Sequence, residues 1–240
     1  MPPIHPIEEG TVDVGGRAVG YRWFGARRTA GRPVVLSCHG GLSCGADAAL
    51  AHDAALDRDV SVLAVDRPGI SASDPLPGRT TIDFAADALA VLDALDVPML
   101  RGVAGWSLGG QYALAVAARY PARVAACAVV AGVPPLSWPD VRGSLSGLDR
   151  RLLRVVDGRV PAVVRRWMFH LVHAQASRAY RARVAGDGRR VPGRLEQRTW
   201  GPADTQELSG PAGWLIDEAV AEGTESNYGM QEEYRAWRRD

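Results

Sequence analysis

The sequence predicts an α/β fold: a mostly parallel sheet flanked by helices, with an N-terminal antiparallel hairpin and a helical cap. Three observations carry this expectation. From residue 33 onward, short runs that are apolar on both faces alternate with helical runs, the pattern of strands covered on both sides in a parallel sheet. Before them, residues 11–24 alternate polar and apolar about Gly15-Gly16, as a hairpin does. After Val133-Pro134-Pro135 the chain turns Arg-rich and helical.

The elements follow in order. Pro33 to Cys38 is a short, nearly continuous apolar strand ending in His39-Gly40-Gly41, and Ala46 to Leu56 is Ala-rich with helical spacing. Val60 to Val65 is a second buried strand, ending at Asp66. Thr80 to Leu95 is an amphipathic helix whose apolar set is Ile82, Ala85, Leu89, Leu92 and Leu95, with Thr80 and Asp83 as its N-cap pair. Leu100 to Ala104 is a strand, Leu108 to Arg119 a helix stopped by Pro121, and Val124 to Ala131 a further buried strand. The crossovers between parallel strands are expected to be right-handed. Residues 136 to about 185 read as a helical lid with the apolar cluster Val163, Val164, Trp167, Met168, Leu171 and Val172. Residues 186–213, rich in Gly, Pro and Arg, read as loop, followed by helices over Trp214–Glu222 and Glu225–Arg239.

At 240 residues the chain is one large domain, or one domain with an inserted lid. A net charge of +1 gives no electrostatic case for nucleic acid or an acidic membrane surface. Every basic residue is Arg, which excludes a Schiff-base lysine, a P-loop lysine and a Ser-Lys dyad. Cys38, Cys44 and Cys127 are an odd number without scaffold spacing and read as reduced thiols, Cys38 and Cys127 as small core residues. The N-terminus lacks the basic and apolar regions of a leader, and no run is long and apolar enough to span a bilayer. The expectation is a cytoplasmic protein that acts on a small molecule, with no nucleic acid, membrane, metal or cofactor.

One pentapeptide carries chemistry. Gly105-Trp106-Ser107-Leu108-Gly109 stands between an apolar strand and a helix. A serine hydroxyl is a poor nucleophile at neutral pH and must be both activated and exposed. A sharp strand-to-helix turn exposes it, small residues two positions either side relieve the crowding, and the following helix directs backbone N–H groups at the site. Those groups stabilise a developing oxyanion, so Ser107 is the candidate nucleophile and the Leu108 amide one donor. A second donor is expected from the loop after the first parallel strand: the amide of Gly41, with Leu42 next. His39 reads as fixing that loop. Asp66, beside Arg67 at a strand end, reads as a carboxylate holding its own loop rather than as a catalytic acid.

His39-Gly40-Gly41, Asp66-Arg67-Pro68-Gly69 with Ser73-Asp74, and Gly105-Trp106-Ser107-Leu108-Gly109-Gly110, in that order and at those separations, resemble the α/β-hydrolase fold family. The match covers residues 11–135 well, and Ser71 stands where the family pattern usually has Gly. The resemblance implies a nucleophile at Ser107, oxyanion donors at Leu108 and Gly41, and an acid and a histidine that both follow the cap. Serine at the elbow is unlike the branches that need a carboxylate nucleophile. On this view residues 1–135 are the N-terminal part of the hydrolase core, and residues 136–240 are a helical cap and the lead-in to a missing C-terminal part of roughly 50–70 residues. The end of the strand at 124–131 offers no carboxylate, Asp140 being the nearest. The histidines after the elbow, His170 and His173, lie on one helical face and read as partly buried lid residues.

The leading expectation is therefore a serine hydrolase for a small, fairly apolar ester or related acyl compound. Leu42, Trp106, Trp138, Trp167 and Phe169 are the candidate pocket residues. The alternatives are a catalytically incomplete protein, truncated or degenerate, that binds a ligand or partner, and a cofactor-free perhydrolase or haloperoxidase-type activity on the same elbow.

Overall fold

A computed structural model describes residues 4–136, 138, 140–156, 160–186, 206 and 209–239. The chain opens with β1 (Glu8–Asp13) and β2 (Ala18–Gly25), paired antiparallel. Gly15 and Gly16 both have positive φ (63° and 83°), the left-handed backbone that a two-residue hairpin turn needs, and Val14 and Arg17 close the turn.

β3 (Val34–Cys38) leads through a 3-10 turn, Gly45–Ala51, and the short α1 (His52–Leu56) to β4 (Ser61–Val65). α2 (Thr81–Ala94) carries the chain to β5 (Gly102–Trp106), and α3 (Gly109–Arg119) carries it to β6 (Cys127–Val130). The sheet order is β1-β2-β4-β3-β5-β6, antiparallel in its first two pairings and parallel in the remaining three. The fold is the expected mostly parallel sheet with a hairpin at one end.

From β3 the chain steps to β4 on one side, and from β5 it steps to β6 on the other. The strand order thus reverses between β3 and β5, which opens a crevice at their C-terminal ends. Strand side chains alternate between faces. Leu63 and Val65 join Leu36, Val103, Phe84 and Tyr112 in the main core, while Val62 and Ala64 join Phe24, Ala48, Ala49 and Leu215 in a second cluster.

The structure corrects three details of the sequence reading. α2 has the expected capping box of Thr80 and Asp83, but its buried face is Phe84, Ala85, Ala88, Val91 and Leu92, and Ile82 is exposed. That face is itself an apolar set at 3-and-4 spacing, centred on the bulky Phe84, and Asp87 is buried beside it and pairs with Arg17 of the hairpin at 2.6 Å. β6 is exposed at all four residues, Cys127 included, because among the described residues it pairs only with β5. In the cap, Val163, Val164, Trp167 and Leu171 are exposed.

The cap comprises α4 (Val141–Ser144), α5 (Gly147–Val156) and α6 (Ala162–Ala185), followed by α7 (Pro211–Gly223) and α8 (Asn227–Arg239). The expected loop over 186–213 falls mostly outside the described residues, and its end is corrected: residues 211–213 form the first turn of α7, with Pro211 at its start. α8 is part of the body of the molecule. Its Met230, Tyr234 and Trp237 belong to the main core, and Gly229 packs so closely on Gly69 that a Cβ there would fall on the Gly69 carbonyl.

Candidate active site

Ser107 occupies the bend between β5 and α3 with φ of 53°. A non-glycine residue in that region is strained and persists only where its surroundings over-determine it. Here the Ser107 amide donates to Val130 O at 2.9 Å, and its carbonyl accepts from Gly110 and Val133, each at 3.1 Å. The flanking glycines are obligatory. A Cβ on Gly105 would collide with the Gly109 carbonyl, and a Cβ on Gly109 with the carbonyls of Cys38 and His39. The elbow is therefore clamped against the end of β3.

The loop after β3 approaches from the other side. A Cβ added to Gly41 would lie 3.4 Å from the Leu108 side chain, so Gly41 and Leu108 are neighbours across the crevice. Among the described residues, neither the Gly41 nor the Leu108 amide donates a hydrogen bond. Two free N–H groups thus flank the serine bend, one of them at the first turn of α3. Leu42 adjoins them, partly buried and with φ of 60°.

Trp106 ties the two loops together. Its indole N–H donates to Asp47 Oδ2 at 2.8 Å, and its ring lies where a Cβ on Gly40 would come within 2.7 Å. The same Asp47 oxygen accepts the Gly40 amide at 3.0 Å and the Ser43 hydroxyl at 3.2 Å. Burial outweighs these bonds and pushes the Asp47 carboxyl up to about 6.

His39 is fully buried. Its Nε2 accepts the Arg67 amide at 3.2 Å, which leaves Nδ1 to carry the proton toward Gly40 O at 3.1 Å. Burial, with Arg67 next to it, holds this imidazole well below its ordinary pKa. It fixes the loop, as expected, and is a neutral ring with both nitrogens engaged. Asp66 also holds its own surroundings, accepting the Gly45 amide at 2.7 Å while its carbonyl accepts the Ser73 hydroxyl at 2.7 Å. Burial pushes the Cys38 thiol up to about 12, the behaviour of an inert core residue.

The structure does not bring every sequence candidate to this place. Phe169 is fully buried, against Tyr234 with ring centroids 6.1 Å apart, and offers no surface to a ligand. Trp138 and Trp167 are each 61% exposed. His173 is held in the cap, with Nδ1 3.3 Å from Thr224 Oγ1 and Nε2 3.2 Å from Ser177 Oγ, and His170 lines a surface cleft beside it. Among the described residues no group hydrogen-bonds Ser107 Oγ, and no cluster of three or more His, Cys, Asp or Glu could hold a metal. No described helix is long and apolar enough to cross a membrane.

Sequence reasoning missed a buried network beside the site. Arg67 and Arg79 are both fully buried and both bond Glu233 of α8. Arg79 also donates to the Tyr112 hydroxyl at 2.8 Å, and the Arg67 guanidinium lies 4.5 Å over the Tyr112 ring. One signal was available: Glu233 shares the helical face of Met230 and Trp237, and a carboxylate on an apolar face needs a buried partner.

Residues 33–183 match the family model described as the alpha/beta hydrolase fold. The chain is 40% identical over 119 residues to a pimeloyl-[acyl-carrier protein] methyl ester esterase of Chromobacterium violaceum, an alignment spanning 48% of this chain and 44% of that protein. Among solved structures, the enol-lactonase of Burkholderia xenovorans LB400 superposes with a TM-score of 0.63 at 20% identity, covering 95% of this chain and 73% of that one. A hydrolase of Pseudomonas aeruginosa gives 0.61 at 20% identity, covering 97% and 73%. The aligned part of the chain spans less than half the length of the curated relatives it matches.

Proposed function

The chain belongs to the α/β-hydrolase fold family, and from that premise we propose that it is a serine hydrolase for a small, fairly apolar ester or related acyl compound. Ser107 is the nucleophile, and the amides of Gly41 and Leu108 hold the oxyanion. The observation that carries this reading is the pair of free amides flanking a serine forced into a left-handed bend. Attack of Oγ on an acyl carbon moves charge onto the carbonyl oxygen. A preorganised N–H aimed at that oxygen is worth roughly 10²- to 10³-fold in rate. Leu42 and Trp106 border the acyl site. The similarity to a methyl ester esterase supports an ester as the substrate class.

A fluorophosphonate probe tests the proposal. Covalent labelling of the chain, lost in Ser107→Ala, is the expected result. Absence of labelling in folded protein sinks it. A second reading, ligand binding without turnover, is favoured by the lack of any described group hydrogen-bonded to Ser107 Oγ. The proposal assigns the general base to none of the described residues, and the same labelling decides between the two readings.

A further inference from the structure

The Gly41 amide is free, yet the peptide that carries it is held rigidly from behind. Arg67 NH2 donates to Gly40 O at 2.7 Å, and Arg67 NH1 donates to His39 O. In a trans peptide the C=O and the following N–H point in opposite directions. With the Gly40 carbonyl turned onto Arg67, the Gly41 N–H is turned away from Arg67. The preceding peptide is fixed at both ends as well, with His39 O on Arg67 and the Gly40 N–H on Asp47 Oδ2 at 3.0 Å.

Arg67 is in turn aimed by Glu233. The contact is two-pronged: Nε to Oε1, and NH2 to Oε2 at 2.8 Å. A guanidinium held along one edge by both oxygens of a carboxylate is fixed in plane and direction. Glu233 lies on α8, 166 residues from Arg67 in the chain, and is 1% exposed. Arg79 NH2 reaches the same carboxylate at 3.1 Å. Burial alone would raise the Glu233 carboxyl, but Arg67 and then Arg79 outweigh it and hold it below its ordinary value, so the pair stays ionic.

We propose that Glu233 is a positioning residue for the oxyanion site: through Arg67 it sets the Gly40–Gly41 peptide so that the Gly41 amide faces the anionic oxygen of an acyl or phosphonyl group on Ser107. This rests on the reading of Gly41 as an oxyanion donor. It makes α8 part of the catalytic geometry through bonds made behind the oxyanion site.

Glu233→Asp tests the link, because it keeps the charge and shortens the reach. Two readouts are taken on the full chain. The first is fluorophosphonate labelling, resolved into reversible binding and the rate of the covalent step. The second is the 15N–1H cross-peak of Gly41 in 15N-glycine-labelled protein, identified by its loss in Gly41→Ala. The covalent step is expected to slow at least about tenfold while reversible binding changes less than roughly twofold, and the Gly41 peak is expected to move. A merely structural role would shift the melting temperature without that split. Should Glu233→Asp fail to fold, Arg67→Lys carries the same test, since an ammonium keeps the charge opposite Glu233 but cannot bridge both carbonyls. An unchanged covalent rate, or an unmoved Gly41 peak, overturns the proposal. A moved Gly41 peak with a wild-type Ser107 that never labels supports the positioning link and removes the hydrolase reading instead.

Discussion

The indole N–H of Trp106 donates to Oδ2 of Asp47 at 2.8 Å, so the residue before the candidate nucleophile is bonded to the segment that follows β3. That oxygen accepts three donors in all. Trp106→Phe removes one of them and is expected to cost about 1 kcal/mol. Chemical denaturation checks this as a lower midpoint at constant slope; an unchanged midpoint would show that the bond adds nothing to stability.

Among the described residues the other oxygen of Asp47, Oδ1, has no hydrogen-bond partner, and neither has Oδ2 of Asp66. Burial pushes both carboxyls up to about 6 from an ordinary 3.8. The native state therefore binds protons between about pH 6 and 4 that the unfolded chain does not, and stability rises as pH falls through that window. Each group contributes at most about 3 kcal/mol. Glu233 has the opposite sign. Its folded value lies below its ordinary 4.5, so its contribution is complete above 4.5 and is lost as pH falls through the lower folded value. His39 also opposes the two aspartates: its folded value lies well below its ordinary 6.5, so the stability it contributes above 6.5 is lost as pH falls. The test is therefore a difference: the gap in melting temperature between wild type and Asp47→Asn is expected to shift in favour of wild type as pH falls from 6 to 4, and a constant gap contradicts this.

Two glycines of the site differ sharply in what they tolerate. Gly109→Ala drives a methyl into the backbone carbonyls of Cys38 and His39, which cannot rotate aside, and is expected to cost about 3 kcal/mol or more. Gly41→Ala meets only the Leu108 side chain at 3.4 Å and is expected to fall within about 0.5 kcal/mol of wild type. Thermal unfolding of the two variants side by side tests the contrast. Equal melting temperatures would mean that the elbow is not clamped on β3.

The β6 edge exposes apolar side chains. Val129 and Val130 are 43% and 61% exposed on a strand that, among the described residues, is paired along one side only. Unpaired apolar edges template association with other chains. The chain is expected to self-associate with rising concentration, and Val130→Lys to suppress this without lowering the melting temperature. Light scattering across a concentration series reads the outcome, and identical scattering for both proteins would exclude β6 as the contact.

Much of the architecture was legible because its causes are local. Gly15-Gly16 specifies a tight hairpin through positive φ, and Thr80 with Asp83 specifies a helix start through side-chain bonds three residues apart. Gly105, Ser107 and Gly109 announce a bend whose crowding only small residues survive. Those features depend on neighbours in the chain, so the sequence by itself determined the alternation of strands and helices, the elbow, and its place at a strand end. What it left open depends on contacts between distant segments. Ile82 reads as core by spacing alone, but the packing of Phe84, Ala88 and Val91 against the sheet leaves it exposed. Val124–Ala131 reads as a buried strand, but burial requires a neighbour on each side, and among the described residues β6 has one. Only the tertiary structure placed Glu233 against Arg67 and Arg67 against the Gly40 carbonyl, because a buried charge is matched by whichever opposite charge the packing brings to it, across any length of chain.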